Sequence, residues 1–442
     1  MKHRELIILI VFSILTFAYF SFDYLGRLTA DPFRPVIRGS DQSFYYFWLR
    51  SPLVGGDFDF SDDLIECNTL PMEIRDFFLQ QEKTDLGLVA NKYGIGWAIS
   101  SLPWYLLADL YVVMNQEPGI DYERDGFSPP YQFTIFIGQY LYAFLGLIAS
   151  YLLARSWFSR AASLFGVFGI WIISFLPYYQ IIDVSMSHNL VFSCLAGSWL
   201  LTRKIELGQS GYMIWVALGV LTGLAVLARY QAVIMLIYPF GIALKELLTF
   251  ERKKLLGISL CVLSGLILII LQMLAWLAVY GKPILYTYTN EGFDFLEPEI
   301  LNILFSPLHG LFYWHPGLLF GLIFCLFMLY KMRHAAFIMM VASLLITVYI
   351  NASWYCWWFG ASFGSRAFEG ALIVMMLGLA WGFEQLKQNK YAKYCLELVV
   401  LCLGFWNVGL MFFVRKGVLP LEEPVSWIEM LDLFLSHLTT EF

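Results

Sequence analysis

The first polar stretch of the chain, residues 23–130, contains side chains that could act in a reaction at a membrane surface. Asp41 lies in Ser-Asp-Gln, shortly before the aromatic residues 44–46. A carboxylate that is partly withdrawn from water can act as a general base toward a hydroxyl group, because desolvation makes it hold a proton more readily. The alternative is structural: Ser40 or Asp41 could be the N-cap of a short amphipathic helix. The two roles can coexist.

An acidic run follows in the same stretch, with phenylalanines between its first members. It comprises Asp57, Asp59, Asp62 and Asp63, interleaved with Phe58 and Phe60. Carboxylate oxygens are ligands that divalent cations prefer, and Asp57 and Asp59 are the candidate metal ligands. The run can equally be a solvated turn, or a short strand whose phenylalanines pack inward. The sequence therefore predicts no definite cofactor and leaves a divalent cation as an open alternative.

Four polar residues at the borders of apolar segments could contact a polar or anionic ligand. Lys92 and Tyr93 precede the apolar segment 97–114, His188 begins a later segment, and Arg229 ends another. An ionisable group at a span end that faces an aqueous mouth is a functional candidate. Lys92 could pair with a phosphate, although Lys92 and Arg229 could instead extend to the lipid headgroups.

Two histidines and an arginine stand out in the later part of the chain. His309 and His315 flank Trp314, and Arg366 follows the aromatic run 354–359. Aromatic residues commonly form belts at membrane interfaces, and a histidine there is usually a hydrogen-bonded structural residue. A belt does not account for Arg366, whose planar guanidinium suits bidentate contact with a phosphate or a carboxylate.

Composition assigns the chain to the integral-membrane class. Of its 442 residues, 59% are hydrophobic and only 14% are charged, whereas soluble domains contain roughly 25% charged residues. This excludes a soluble enzyme and makes membrane lipids the expected surroundings. The net charge of −6 argues against a nucleic-acid partner. We expect the first apolar segment to be a retained anchor, since no small-residue cleavage site follows it.

Apolar segments long enough to cross a bilayer recur along the chain, at about 20 residues each. The predicted spans are residues 6–22, 133–154, 161–179, 184–201, 212–228, 232–248, 255–280, 310–330, 335–350, 371–386 and 394–414. We therefore expect an all-α membrane protein, a polytopic helical bundle of about 11 spans. Residues 1–442 would form a single domain with a first loop (23–130), a bundle (131–414) and a tail (415–442).

The distribution of Lys and Arg predicts the orientation of this bundle. Basic clusters lie at positions 2–4, 155–160, 203–204, 245–254, 331–333 and 387–393. The positive-inside rule places them all in the cytoplasm if the segment 97–114 does not cross the bilayer. We therefore predict a helix that lies on the outer face and is interrupted at Pro103. The first loop and the tail are then extracytoplasmic, with Arg415 and Lys416 as a counter-signal.

With these residues in view, the chain resembles the GT-C superfamily of integral-membrane glycosyltransferases, which take sugars from polyprenyl-phosphate carriers. The resemblance rests on the large first outer loop with an acidic residue soon after the first span, the helix lying on the membrane, and the number of spans. The chain is similar, more specifically, to a bacterial group of mannosyltransferase-like proteins around DQSFYYFWLRSPLVGGDFDF, NKYGIGW, MSHN, FSPLHGLFYWHP and WWFGASFGSR.

The resemblance implies that the acidic residue of the first outer loop, here Asp41, is the general base. Better-known members carry an Asp-Glu pair where this chain has Asp41-Gln42, so a second adjacent acid is not implied. Basic residues toward the outer loops bind the donor phosphate in the superfamily. The positions carried over are Arg366, Lys92 and Arg229.

We therefore expect a membrane glycosyltransferase that transfers a hexosyl or pentosyl group from a polyprenyl-phosphate carrier to a hydroxyl of a lipid, a glycan or a protein. Tyr93, His188, His309 and His315 are further candidate substrate-binding residues. The expected location is the bacterial inner membrane, with the active site outside the cytoplasm. One alternative is a transporter or flippase of lipid-linked saccharides, which would need mid-span charges and matching halves. Another is an O-antigen polymerase or ligase, which would place its large loop later in the chain.

Overall fold

A computed structural model describes residues 4–29, 35–67, 70–115, 122–289 and 291–440. These residues are predominantly helical, and an isolated backbone bridge pairs Phe293 with Trp354. The α-helices, in chain order, are α1 (Arg4–Leu28), α2 (Gly39–Arg50), α3 (Phe60–Glu66), α4 (Met72–Gln80), α5 (Gly96–Met114), α6 (Pro129–Arg155), α7 (Arg160–Ile173), α8 (His188–Glu206), α9 (Tyr212–Ala228), α10 (Ile237–Leu247), α11 (Arg252–Tyr280), α12 (Ile300–Phe305), α13 (Leu311–Trp314), α14 (Leu318–Met332), α15 (Ala335–Ser353), α16 (Glu369–Leu386), α17 (Lys390–Arg415) and α18 (Trp427–Thr440).

Eight helical segments among the described residues are long enough and apolar enough to cross a membrane. They are Ile7–Leu28, Gly96–Met114, Pro129–Arg155, Tyr230–Leu247, Arg252–Tyr280, Ala335–Ser353, Arg366–Leu386 and Lys390–Arg415, and α7, α9 and α14 are shorter apolar helices. The all-α, polytopic fold is confirmed, and a helix accompanies each predicted span. Because α5 also meets these criteria, its assignment to the membrane surface stays a prediction.

The chain forms two compact units, of which unit one carries the first loop. Unit one comprises Met1–Gly146, Asp183–Val233 and Glu246–Thr289. Within it α9 packs against α8 and α11, while α5 contacts both α9 and α2. The short helices α3 and α4 pack on each other beside α2.

Unit two comprises Leu147–Ile182, Ile234–Lys245 and Asn290–Phe442. Its central helix is α16, which is buried along nearly its whole length and packs against α7 and α14. A helix that is apolar all round belongs in the interior of a bundle. The terminal helix α18 returns onto α17, where the Phe434 ring packs against Trp406 and Phe413.

The predicted boundaries and the helices differ at several positions, including the following three. The helix α1 continues to Leu28 instead of ending at residue 22. The interruption predicted at Pro103 is wrong, because α5 continues through this residue. Proline lacks only its own backbone N–H donor, and the helix continues on both sides of it. The span predicted from residue 310 is divided into two helices. The short α13 ends at Trp314 and α14 begins at Leu318, because Pro316 disfavours helical geometry in the residue before it.

Candidate active site

Asp41 lies in the first turn of α2, within unit one. This helix begins at Gly39 after Arg38, so the alternative in which Ser40 or Asp41 is the N-cap is wrong. A carboxylate in the first turn is stabilised by the positive end of the helix dipole. Asp41 is half-buried, whereas residues 42–50 are buried. The Asp41 carboxylate therefore stays partly accessible to solvent, at the start of a helix whose other residues are mostly buried.

The next residue, Gln42, holds α2 in place through its buried side chain. Its Oε1 accepts hydrogen bonds from the Arg38 N–H at 2.9 Å and from the Ser185 hydroxyl. Its Nε2 donates to Asp183 Oδ1 at 2.6 Å. An amide can donate and accept at once, which an ionised glutamate cannot. The amide at position 42 therefore has a structural role.

Tyr93 contacts Asp41 directly. Its hydroxyl donates to Asp41 Oδ1 at 2.5 Å. Burial, and then the charge of Asp41, raise the pKa of Tyr93 well above its ordinary value. The hydroxyl therefore keeps its proton at neutral pH and acts as a donor. The Tyr93 ring packs edge-to-face on Tyr45, with a centroid distance of 4.8 Å.

The segment NKYGIGW, residues 91–97, reaches Asp41 by packing on the backbone at the end of α9. A side chain on Gly94 would lie 2.2 Å from the carbonyl oxygen of Leu227. A side chain on Gly96 would lie 2.4 Å from the amide nitrogen of Ala228. These approaches require glycine at both positions.

Lys92 and Arg229 lie near Tyr288, a residue that sequence analysis missed. Lys92 Nζ is 5.1 Å from the centroid of the Tyr288 ring. Burial raises the pKa of Tyr288 well above its ordinary value, Arg229 lowers it, and Asp41 raises it. The Tyr288 ring also packs edge-to-face on Tyr93 at 6.5 Å and on Tyr230, which follows Arg229, at 6.4 Å. We name Asp41, Lys92, Tyr93, Arg229 and Tyr288 the polar cluster. All five residues are half-buried.

His188 is the first residue of α8 and is fully buried. The preceding residue, Ser187, has its hydroxyl 3.4 Å from that of Tyr45, which packs on Tyr93. His188 is therefore adjacent in sequence to a contact of the polar cluster. Its predicted role in substrate binding stays a prediction.

Asp57 and Asp59 form hydrogen bonds with the backbone. Asp57 Oδ1 accepts from the Asp59 N–H at 2.9 Å, and Asp59 caps α3 by accepting from the Ser61 N–H at 3.0 Å. The strand alternative is wrong, because α3 begins at Phe60. Across the described ranges, no three His, Cys, Asp or Glu side chains group so that they could hold a metal ion. The turn alternative fits these contacts, and metal binding by Asp57 and Asp59 stays a prediction.

Asp63, the last residue of the acidic run, fixes the far end of α2. Arg50 Nη1 donates to Asp63 Oδ1 at 2.7 Å, and both side chains are almost completely buried. Burial raises the pKa of Asp63 to about 6, although Arg50 favours the ionised form. The pair joins α2, which carries Asp41, to α3.

Arg366 and His309 lie together in unit two. Arg366 precedes α16, and its Nη2 donates to the Phe359 carbonyl at 3.0 Å. The neighbouring Ser365 donates to the His309 carbonyl at 2.6 Å, and His309 Nε2 lies 2.9 Å from the carbonyl oxygen of Leu421. Burial lowers the pKa of His309 to about 4, so the imidazole is neutral at pH 7.

His315 is buried in the same unit. Its ring packs against Phe175 and Phe363 at centroid distances of 5.8 and 5.4 Å. Gly364 leaves room for it, since a side chain there would lie 2.2 Å from His315 Nε2. These contacts agree with the structural interpretation of the histidines, and substrate binding by His309 and His315 stays a prediction.

Two solved structures are similar in fold to nearly the whole chain. The archaeal oligosaccharyltransferase AglB from Archaeoglobus fulgidus, in complex with an inhibitory peptide and a dolichol-phosphate, matches with a TM-score of 0.52 and 12% identity over 99% of this chain and 54% of that one. ArnT from Cupriavidus metallidurans, bound to undecaprenyl phosphate, matches with a TM-score of 0.51 and 12% identity over 98% of this chain and 76% of that one. The chain thus spans about half the length of the oligosaccharyltransferase.

No protein-family model and no curated protein sequence matches the chain. The likeness to these two structures shows the fold of the chain. The protein is an integral membrane protein with this fold.

Proposed function

We propose that the protein is a membrane glycosyltransferase that takes a sugar from a polyprenyl-phosphate carrier and transfers it to an acceptor hydroxyl. The polar cluster carries this proposal, because it combines the accessible carboxylate of Asp41 with the cations of Lys92 and Arg229. The two solved proteins of similar fold are bound to dolichol-phosphate and undecaprenyl phosphate. A lipid-linked phosphate is a ligand that such cations could bind.

In the proposed reaction, Asp41 accepts the proton of the acceptor hydroxyl while the acceptor oxygen attacks the anomeric carbon. The bond from that carbon to the phosphate oxygen breaks, and its electron pair leaves with the polyprenyl phosphate. Positive charge develops on the sugar ring and negative charge on the leaving phosphate. Lys92 and Arg229 would stabilise the phosphate. Donor binding by Arg366, which the resemblance implies, stays a prediction of its own.

The remaining parts of the proposal follow from the sequence. The acceptor is a lipid, a glycan or a protein, and the transferred group is a hexose or a pentose. The positive-inside rule favours an active site outside the cytoplasm, in a bacterial inner membrane. The hydrophobic bundle would accommodate the polyprenyl tail while the sugar reaches the polar cluster.

The test compares wild type with Asp41→Asn in purified, lipid-reconstituted protein. Hexosyl and pentosyl polyprenyl-phosphate donors are supplied with cell-envelope acceptors, and release of polyprenyl phosphate is measured. Loss of a general base typically lowers the rate about a hundredfold to ten-thousandfold, so we expect Asp41→Asn to be nearly inactive. Binding of polyprenyl phosphate should persist.

Asp76→Asn is the matched control, because Asp76 is an exposed aspartate on α4 in the same loop. It should retain wild-type turnover. Near-normal turnover in Asp41→Asn would show that the base lies elsewhere, and Asp57 or Asp59 would then be tested. The absence of turnover with every donor class in wild type would contradict the proposed reaction.

A further inference from the structure

The contacts of Tyr93 assign it a role that differs from substrate binding. We propose that Tyr93 is the positioning residue of Asp41: its hydroxyl holds the carboxylate in the ionised form and in one orientation toward the acceptor. This inference rests on the proposed function, in which Asp41 is the general base. It begins from the hydrogen bond that the Tyr93 hydroxyl donates to Asp41 Oδ1 at 2.5 Å.

Tyr93 and Asp41 are fixed to the same helix. The Tyr93 carbonyl accepts a hydrogen bond from Trp48 Nε1 at 2.8 Å, and Trp48 lies on α2. Asn91 donates from its side chain to the carbonyl of Phe44, also on α2, at 2.8 Å. The Asn91 side chain also accepts from the Tyr93 N–H at 3.2 Å. The base and its donor therefore keep one geometry even if α2 shifts as a whole.

The other side of the same segment is fixed to the span helices. The Ile95 N–H donates to Gln272 Oε1 on α11 at 2.8 Å. Gly94 and Gly96 pack on the backbone of α9, where a side chain would not fit. Because Tyr93 is fixed on both sides, it loses little conformational entropy when a substrate binds. Such a rigid residue can keep the Asp41 carboxylate in one orientation.

The chemistry of a phenol suits this role better than that of a cation. A hydrogen bond donated to a carboxylate favours its charged form, which is the form that accepts a proton. A neutral donor such as a phenol favours the charged carboxylate less strongly than a lysine or an arginine would. The carboxylate is therefore a stronger base beside a phenol than it would be in an ion pair. The Tyr93 ring is also supported by Tyr45 at a centroid distance of 4.8 Å.

The decisive variant is Tyr93→Phe, which removes the hydroxyl and keeps the ring packing. We expect kcat to fall about tenfold or more while KM for the lipid-linked donor stays within about twofold. We also expect the acidic limb of the pH–rate profile to move to higher pH, because a carboxylate that loses a donor is protonated more readily. Both are measured with the donor used for wild type.

Tyr140→Phe is the matched control, because it removes another buried hydroxyl, which donates to the Ser13 carbonyl at 3.0 Å. It should lower thermal stability without moving the pH–rate profile.

An unchanged acidic limb in Tyr93→Phe would overturn the inference. A raised donor KM at unchanged kcat would also overturn the inference, because it would indicate that Tyr93 binds substrate. If Asp41→Asn is inactive while Tyr93→Phe behaves as wild type, only this inference fails; if Asp41→Asn is active, the assignment of Asp41 as the base fails.

Discussion

Asp41 and Gln42 are neighbours on α2, yet their side chains have different surroundings. Gln42 is buried and its amide binds the segment that includes Asp183 and Ser185, whereas Asp41 stays half-exposed beside Tyr93. Residue type and the superfamily resemblance were enough to select Asp41, Lys92, Tyr93 and Arg229 as candidates. The contacts that bring these residues together could not be predicted one by one, because they join segments that are far apart in the sequence.

Tyr288 shows the limit of prediction for a single residue. It lies in the segment after α11, and the feature of the sequence that could have indicated it is a second tyrosine, Tyr286, two positions earlier. Tyrosines are common at membrane interfaces, so this pattern does not distinguish a ligand site from an aromatic belt. Its closeness to Lys92 and Arg229 follows from the way the segment returns to the 91–97 motif, where Thr287 donates to the Lys92 carbonyl at 2.7 Å.

Arg366 provides a test at the residue scale. In the structure, Arg366 Nη2 donates a hydrogen bond to the Phe359 carbonyl, and a lysine could also donate there. A phosphate clamp needs the planar fork, so we expect Arg366→Lys to weaken donor use about tenfold and Arg366→Ala to remove nearly all of it. Donor-dependent rates and unfolding temperatures are measured for both variants. Equal rates in wild type, Arg366→Lys and Arg366→Ala would assign Arg366 to the turn alone.

At the scale of elements, apolar runs predicted the helices well, and local backbone chemistry decided where they end. The run predicted from residue 310 contains His315 and Pro316, and the span helix begins only beyond them. In contrast, α5 contains Pro103 in its interior and stays continuous. Whether a proline ends a helix depends on the packing around it, and a single sequence does not contain this information.

The contact between the 91–97 motif and α9 gives a prediction for an element. Gly96→Ala should destabilise the protein by about 1–3 kcal/mol, because the added methyl group would lie 2.4 Å from the backbone nitrogen of Ala228. It should also lower kcat by displacing Tyr93. Gly265→Ala on α11 is the control, since its nearest contact would be an ordinary 3.4 Å. If the two variants unfold at the same temperature and turn over equally, the close packing does not position the site.

At the scale of the whole molecule, the number of helices that cross the membrane fixes the side on which each loop lies. The basic clusters predict one arrangement, in which α5 lies on the outer surface. By length and composition, α5 could instead cross the bilayer. Crossing by α5 would move every later loop to the opposite side, so its path decides whether the segments that contribute Asp41 and Arg229 face the same compartment.

Cysteine labelling in intact cells distinguishes these paths. Asp62 on α3 and Lys253 on α11 are both exposed and suit replacement by cysteine, in a background where the exposed Cys395 and Cys402 are changed to serine. With α5 on the surface, a membrane-impermeant maleimide should label Asp62→Cys directly and Lys253→Cys only after permeabilisation. Labelling of both from outside would mean that α5 crosses the bilayer. The entry to α9 and its exit at Arg229 would then exchange sides, and Arg229 could not serve a site that contains Asp41 outside the cytoplasm. Tyr93 donates a hydrogen bond to Asp41, and Gly96 of the same motif packs on Ala228, the residue before Arg229. We therefore expect the first result.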